Sequence, residues 1–92
     1  MPVYAVIATK NAEEIGRKIE SDHAGNYFNV KDDSWLVDCK QTTRELAESL
    51  GIRSGDIGSG LVILLRNYSG RASAETWEWL EIHMPDGPQY YG

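Results

Sequence analysis

Ninety-two residues suffice for one hydrophobic core and are too few for two. Apolar residues make up 41% of the chain and charged residues 25%, the balance of a folded globular domain rather than a disordered one. The formal charge of -5, with nine basic residues scattered singly or as the pair Arg17-Lys18, argues against nucleic-acid binding, because phosphate neutralisation needs a basic stripe.

In chain order, Val3 to Thr9 ("VYAVIAT") is apolar on both faces, which predicts a strand in the middle of a sheet. Asn11 is a candidate helix cap with Glu14 three residues on, and Ala12, Ile15 and Ile19 form the apolar stripe of a first helix that fades between Ser21 and Gly25. Two alternating strands follow, Tyr27 to Val30 and Trp35 to Cys39, joined at Asp32-Asp33-Ser34. Thr42 and Glu45 predict a capped second helix with Leu46, Ala47 and Leu50 on one side and Gly51 as its stop. "RSGDIGSG" is a connector, since its glycines precede a strand rather than a helix and no phosphate-loop lysine is present. The run "LVILL", Leu61 to Leu65, predicts another buried strand. Ser73 then caps a short third helix with Trp77, Leu80 and Met84 on its stripe, ended by Pro85.

Strand-helix-strand twice over is the β-α-β-β-α-β order of a ferredoxin-like sandwich. The expected fold is therefore α+β, a ferredoxin-like βαββαβ sandwich with an additional short C-terminal helix. Its single domain covers residues 1–84 and its tail residues 85–92. The first strand and "LVILL", as the most apolar pair, are expected at the centre of the sheet.

Few residues invite a chemical reading. Asp32 and Asp33 are adjacent on a turn, where side chains diverge, whereas acid-base or two-metal chemistry needs carboxylates converging from separate elements. Aspartate also favours turns for local reasons, so the turn reading is preferred. Asp38 alternates with Val37 and reads as a solvent-facing or edge charge. His23 and His83, each near a helix end, read as exposed and suited to the helix dipole, and two histidines without ligand spacing give no metal site. Cys39 reads as a buried small hydrophobe, and a single cysteine excludes an internal disulfide. No cofactor is implied. No segment approaches a membrane span or a targeting signal, so the chain is read as cytoplasmic with no membrane partner. Trp77 and Trp79, two apart and on different helix faces, leave one indole for the core and one for a partner, or both as caps of the core.

At "DSWLVD" (Asp33 to Asp38), taken with the opening "MPVYAVIAT" and the late "VILLRNYSG", the chain resembles small ferredoxin-like proteins related to the CRISPR-associated adaptation endoribonuclease. It is closer to the stand-alone bacterial proteins of that superfamily than to the CRISPR-associated member. The similarity runs over roughly residues 2 to 82. It implies a homodimer and, in nuclease members, an aspartate at the end of the first strand that helps to bind a metal at the dimer centre. The matching position here is Ala8 or Thr9, neither of which offers the carboxylate a hard cation requires.

The expected function is accordingly a non-catalytic binding or regulatory homodimeric module of that superfamily, with Trp35, Tyr68, Trp77 and Trp79 as interaction anchors and a protein partner in view. The alternative is a metal-dependent ribonuclease of the same superfamily using Asp32, Asp33 or Asp38 with Asn11, Arg66 and Arg71 near nucleic acid. The alternative requires Asp33 and Asp38 of two subunits to converge across the dimer axis. Small-ligand sensing at a dimer interface rests on the fold alone.

Overall fold

The computed structural model describes residues 1–85. The expected C-terminal tail, apart from Pro85, lies outside the described residues. Seven elements follow one another: β1 (Val3–Lys10), α1 (Ala12–Asp22), β2 (Tyr27–Lys31), β3 (Ser34–Asp38), α2 (Thr43–Ser49), β4 (Ser59–Leu64) and α3 (Ala74–His83). The four strands form one antiparallel sheet in the order β2-β3-β1-β4, the ferredoxin-like arrangement with a C-terminal helix added.

The order corrects one expectation. The central pair is β1 and β3, not β1 and "LVILL", for β4 pairs with β1 alone and forms an edge. An apolar run records that a strand can be buried, not which of its neighbours arrives to bury it.

Strand alternation divides the side chains of the sheet between two faces. Tyr4, Val6, Ala8, Trp35 and Val37 join Ile15 and Ile19 of α1 and Leu46 and Leu50 at α2 in the main core. Gly16 lets α1 lie directly on the Trp35 indole, where a Cβ would stand 2.9 Å from Cζ2. Tyr4 keeps its ring in this core and donates its hydroxyl to the Gln41 carbonyl at 2.5 Å, so its polar end is satisfied.

The caps of α1 and α2 differ. At α2 the expected box forms in full, the Thr42 hydroxyl accepting from Glu45 N–H and the Glu45 carboxylate accepting from Thr42 N–H. That bonding holds the Glu45 carboxyl below its ordinary range. At α1 the expected box is absent, for Asn11 adopts a left-handed φ of 60° and makes no side-chain cap bond. Its Nδ2 donates instead to the Ile57 carbonyl at 2.7 Å, tying the start of α1 to the connector before β4, while Glu14 pairs with Arg17. The long-range bond takes the place of the local cap.

Candidate functional site

The second face of the sheet carries the features that call for a functional explanation. Val3, Ala5 and Ile7 of β1, Leu36 and Asp38 of β3, Phe28 of β2, and Leu61 and Ile63 of β4 point to this side by alternation. Register aligns Phe28, Leu36, Ala5 and Ile63 in one row across all four strands. Helix α3 covers one end of that row. Val3, Leu36 and Leu80 are buried together, with Phe28, Tyr68, Trp77, Trp79 and Met84 packed around them. The other end is open: Leu61 is 58% and Ile63 46% exposed, which corrects the expectation of a buried β4. Val30, at the margin of β2, is also exposed.

How α3 grips the sheet follows from its spacing. Thr76, Leu80 and His83 recur at helical intervals and face inward, with Trp77 and Trp79 flanking them. Tyr68 lies against Trp77 at 6.0 Å between ring centres and Phe28 against Trp79 at 6.4 Å. Both tryptophans are half-buried over this cluster. Trp35 faces the main core and is only 4% exposed.

Two further expectations are corrected here. Asp38 is not a solvent-facing or edge charge but is buried at 8% exposure, and His83 is not an exposed helix end. The two meet, His83 Nδ1–H donating to Asp38 Oδ2 at 2.6 Å, with the Trp79 ring stacked on the imidazole at 4.0 Å. Asp38 Oδ1 is buried without a partner. The sequence carried a signal at Asp38 alone, which shares the strand face of Leu36, an apolar position where an unpaired carboxylate is costly, but it did not name the partner.

The remaining candidate residues are dispersed. Asp32 and Asp33 form the β2–β3 turn, exposed, with Ser34 Oγ bonded to Asp33 Oδ1. Asp33 and Asp38 stand at opposite ends of β3, about 16 Å apart at the rise of a strand. The Asp33 carbonyl accepts from Ala8 N–H near the end of β1 where Asn11 lies, whereas Leu65, next to Arg66, bonds to Val3 at the other end. Arg66 and Arg71 are exposed. Asp32, Asp33 and Asn11 thus belong to one end of the sheet, Asp38 and Arg66 to the other. No group of three His, Cys, Asp or Glu side chains suited to a metal ion occurs among the described residues.

Ala8, one of the two positions that the resemblance would set against the nuclease aspartate, is buried on the face covered by α1 and α2, and Thr9 is exposed. Cys39 is buried as expected, and burial pushes its thiol pKa up, keeping it protonated and a poor nucleophile. His23 departs from its expected role. Burial lowers its pKa despite neighbouring Asp22, so the neutral ring is favoured over a dipole-capping cation.

A cleft of about 420 Å³ beside α1 is lined by Asn11, Glu14, Arg17, Lys18, Ser21 and Asp56 among others. Its charges pair locally, Arg17 with Glu13 and Glu14, and Lys18 with Asp22 at 3.1 Å. No described helix is long and apolar enough to cross a membrane. Comparisons with protein-family models, curated proteins and solved structures gave no match.

Proposed function

We propose that this chain is a non-catalytic binding module that works as a homodimer, a second copy packing on the open half of the second sheet face. The observation that carries this reading is the exposure of Leu61 and Ile63 beside half-buried Ala5 and Ile7, an uncharged apolar strip on a chain of net charge -5. Solvent contact with such a strip is unfavourable by about 25 cal/mol per Å² of apolar surface, and a continuous strip of this kind marks an interaction site. A second copy offers the same neutral surface, and two-fold symmetry lets one patch complement itself. The strip also adjoins the free edge of β4, whose residues from Ser59 to Leu65 contain none of the charges or prolines that protect edges.

Placement within the superfamily of the CRISPR-associated adaptation endoribonuclease rests on the resemblance described above. A module without catalytic activity is supported by the positions of the acids. Asp38 is occupied by His83, and Asp33 lies in the turn before the far end of that strand. These two carboxylates do not share a metal within one chain.

Sedimentation over a concentration series tests the pairing, with a Leu61→Lys/Ile63→Lys variant alongside. The expected result is a reversible dimer for the parent protein and a monomer for the variant, whose urea stability stays within about 0.5 kcal/mol because both positions are exposed. A monomeric parent at every concentration overturns the reading, and a variant that still dimerises moves the contact from the face to the edge. Metal-dependent RNA cleavage that disappears in Asp33→Ala would refute the non-catalytic assignment.

A further inference from the structure

The two halves of the apolar row are chemically alike, yet among the described residues one is covered by a helix and the other is not. Among the described residues, helix α3 closes a cluster with three buried members, Val3, Leu36 and Leu80, ringed by half-buried ones, against ten buried members in the main core. Residues 65–73, which join β4 to α3, form neither helix nor strand. Nine residues can extend about 30 Å, enough for α3 to leave the sheet without disturbing β4.

Among the described residues, one side-chain polar bond ties α3 to the sheet, that from His83 to Asp38. It is an incomplete fastening. With Oδ1 buried and unpartnered, the carboxylate regains a hydrogen bond to water when the helix lifts, which lowers the cost of opening. A stacked Trp79 and a shallow cluster hold the helix against that gain. A cluster of mostly half-buried side chains and a single polar tie among the described residues are the marks of an element that opens before the whole domain does.

Lifting α3 uncovers Phe28, Leu36 and Val3. By register these continue into Ala5 and Ile63, so the row becomes one apolar surface across the sheet.

We propose that α3 is a hinged cover, latched by His83 on Asp38, whose release extends the surface that receives a second copy of this chain. This rests on the pairing proposed above and adds its regulation. Closed, the cover confines contact to the β4 side; open, it admits a partner over the whole row. Self-association and helix release are thereby linked, each favouring the other.

Hydrogen exchange followed residue by residue, together with sedimentation, tests both parts. His83→Phe keeps an aromatic ring on Trp79 and removes the bond to Asp38. Asp38→Asn retains an acceptor for His83 and serves as the milder variant. The expected result is that α3 amides exchange faster than those of β1 and β3 in the parent, and about tenfold faster again in His83→Phe, as loss of a hydrogen bond to a charged group implies. β1 and β3 should keep their protection, Asp38→Asn should fall between, and the dimer dissociation constant should drop by a similar factor. Exchange of α3, β1 and β3 at one common rate overturns the cover. Faster α3 exchange with unchanged or weaker association overturns its link to pairing. A parent that never associates refutes the second copy as occupant, while the exchange pattern still decides whether α3 opens.

Discussion

The two faces of the sheet are packed by different means. On one, α1 and α2 each press aliphatic side chains into a continuous core, with Ile15, Ile19, Leu46, Leu50, Val6 and Val37 fully buried. On the other, α3 rests on aromatic rings and a histidine-aspartate bond, and half of the face is covered by no described helix. The first face is built to keep the domain folded. The second leaves its aromatic rings half-buried and is tied by one polar bond among the described residues, the arrangement from which opening and pairing are proposed.

Ile19→Ala probes that contrast where the effect should be largest. Its side chain is entirely enclosed between α1 and the sheet, so the change should remove about 2–5 kcal/mol of unfolding free energy. Out of a total of about 5–15 kcal/mol for a small domain, such a loss is readily measured by urea titration of far-UV dichroism. A loss below about 1 kcal/mol would mean that this core is not the principal one.

Leu80→Ala sharpens the comparison with a smaller effect. Leu80 is also buried, at 4% exposure, yet its neighbours are those of a helix that can detach. Once α3 is off the sheet, further loss of its packing no longer costs the rest of the domain. The expected loss is no more than about 2 kcal/mol, the floor for removing a buried leucine side chain. Near-UV dichroism from Trp77 and Trp79 should fade before the strands unfold, giving two transitions instead of one. A single transition shifted as far as that of Ile19→Ala would show α3 to be integral to the main core.

What could be read beforehand follows the same division. Elements whose signals are local were legible: the alternation of "YFNV" and "WLVDC", the Thr42–Glu45 box, Gly51 with its φ of 69° ending α2, and Ser73 accepting from Thr76 N–H at α3. Together they gave the βαββαβ order. Features decided across the fold were not legible. Asp38 and His83 are 45 residues apart, and nothing in either neighbourhood names the other. Leu61 and Ile63 look buried in a window of five apolar residues, but their exposure depends on α3 lying over β2 and β3 rather than over β4. Asn11 has good cap chemistry, and only the approach of the Ile57 carbonyl diverts it.

The smallest effect belongs to His23, at the point where α1 ends and the chain turns towards β2. Its Nε2 is buried without a partner, and burial, opposed by Asp22 and assisted by Lys18, lowers its pKa from the ordinary 6.5. A depressed folded-state value means that the unfolded chain binds the proton first as the pH falls. Stability is therefore intact above the ordinary value and is lost as the pH drops from there through the lowered one. His23→Gln abolishes this titration. Between about pH 7.5 and about pH 5, the urea midpoint of the parent should fall more than that of the variant, the carboxylates contributing equally to both. The amides of α1 and β2 should report the difference most strongly, and those of α3 not at all, because α3 packs on the opposite face of the sheet. Equal slopes would mean that the ring is free to turn into solvent when it is protonated. A slope confined to α3 would place the acid sensitivity on the face that opens rather than on the one that holds.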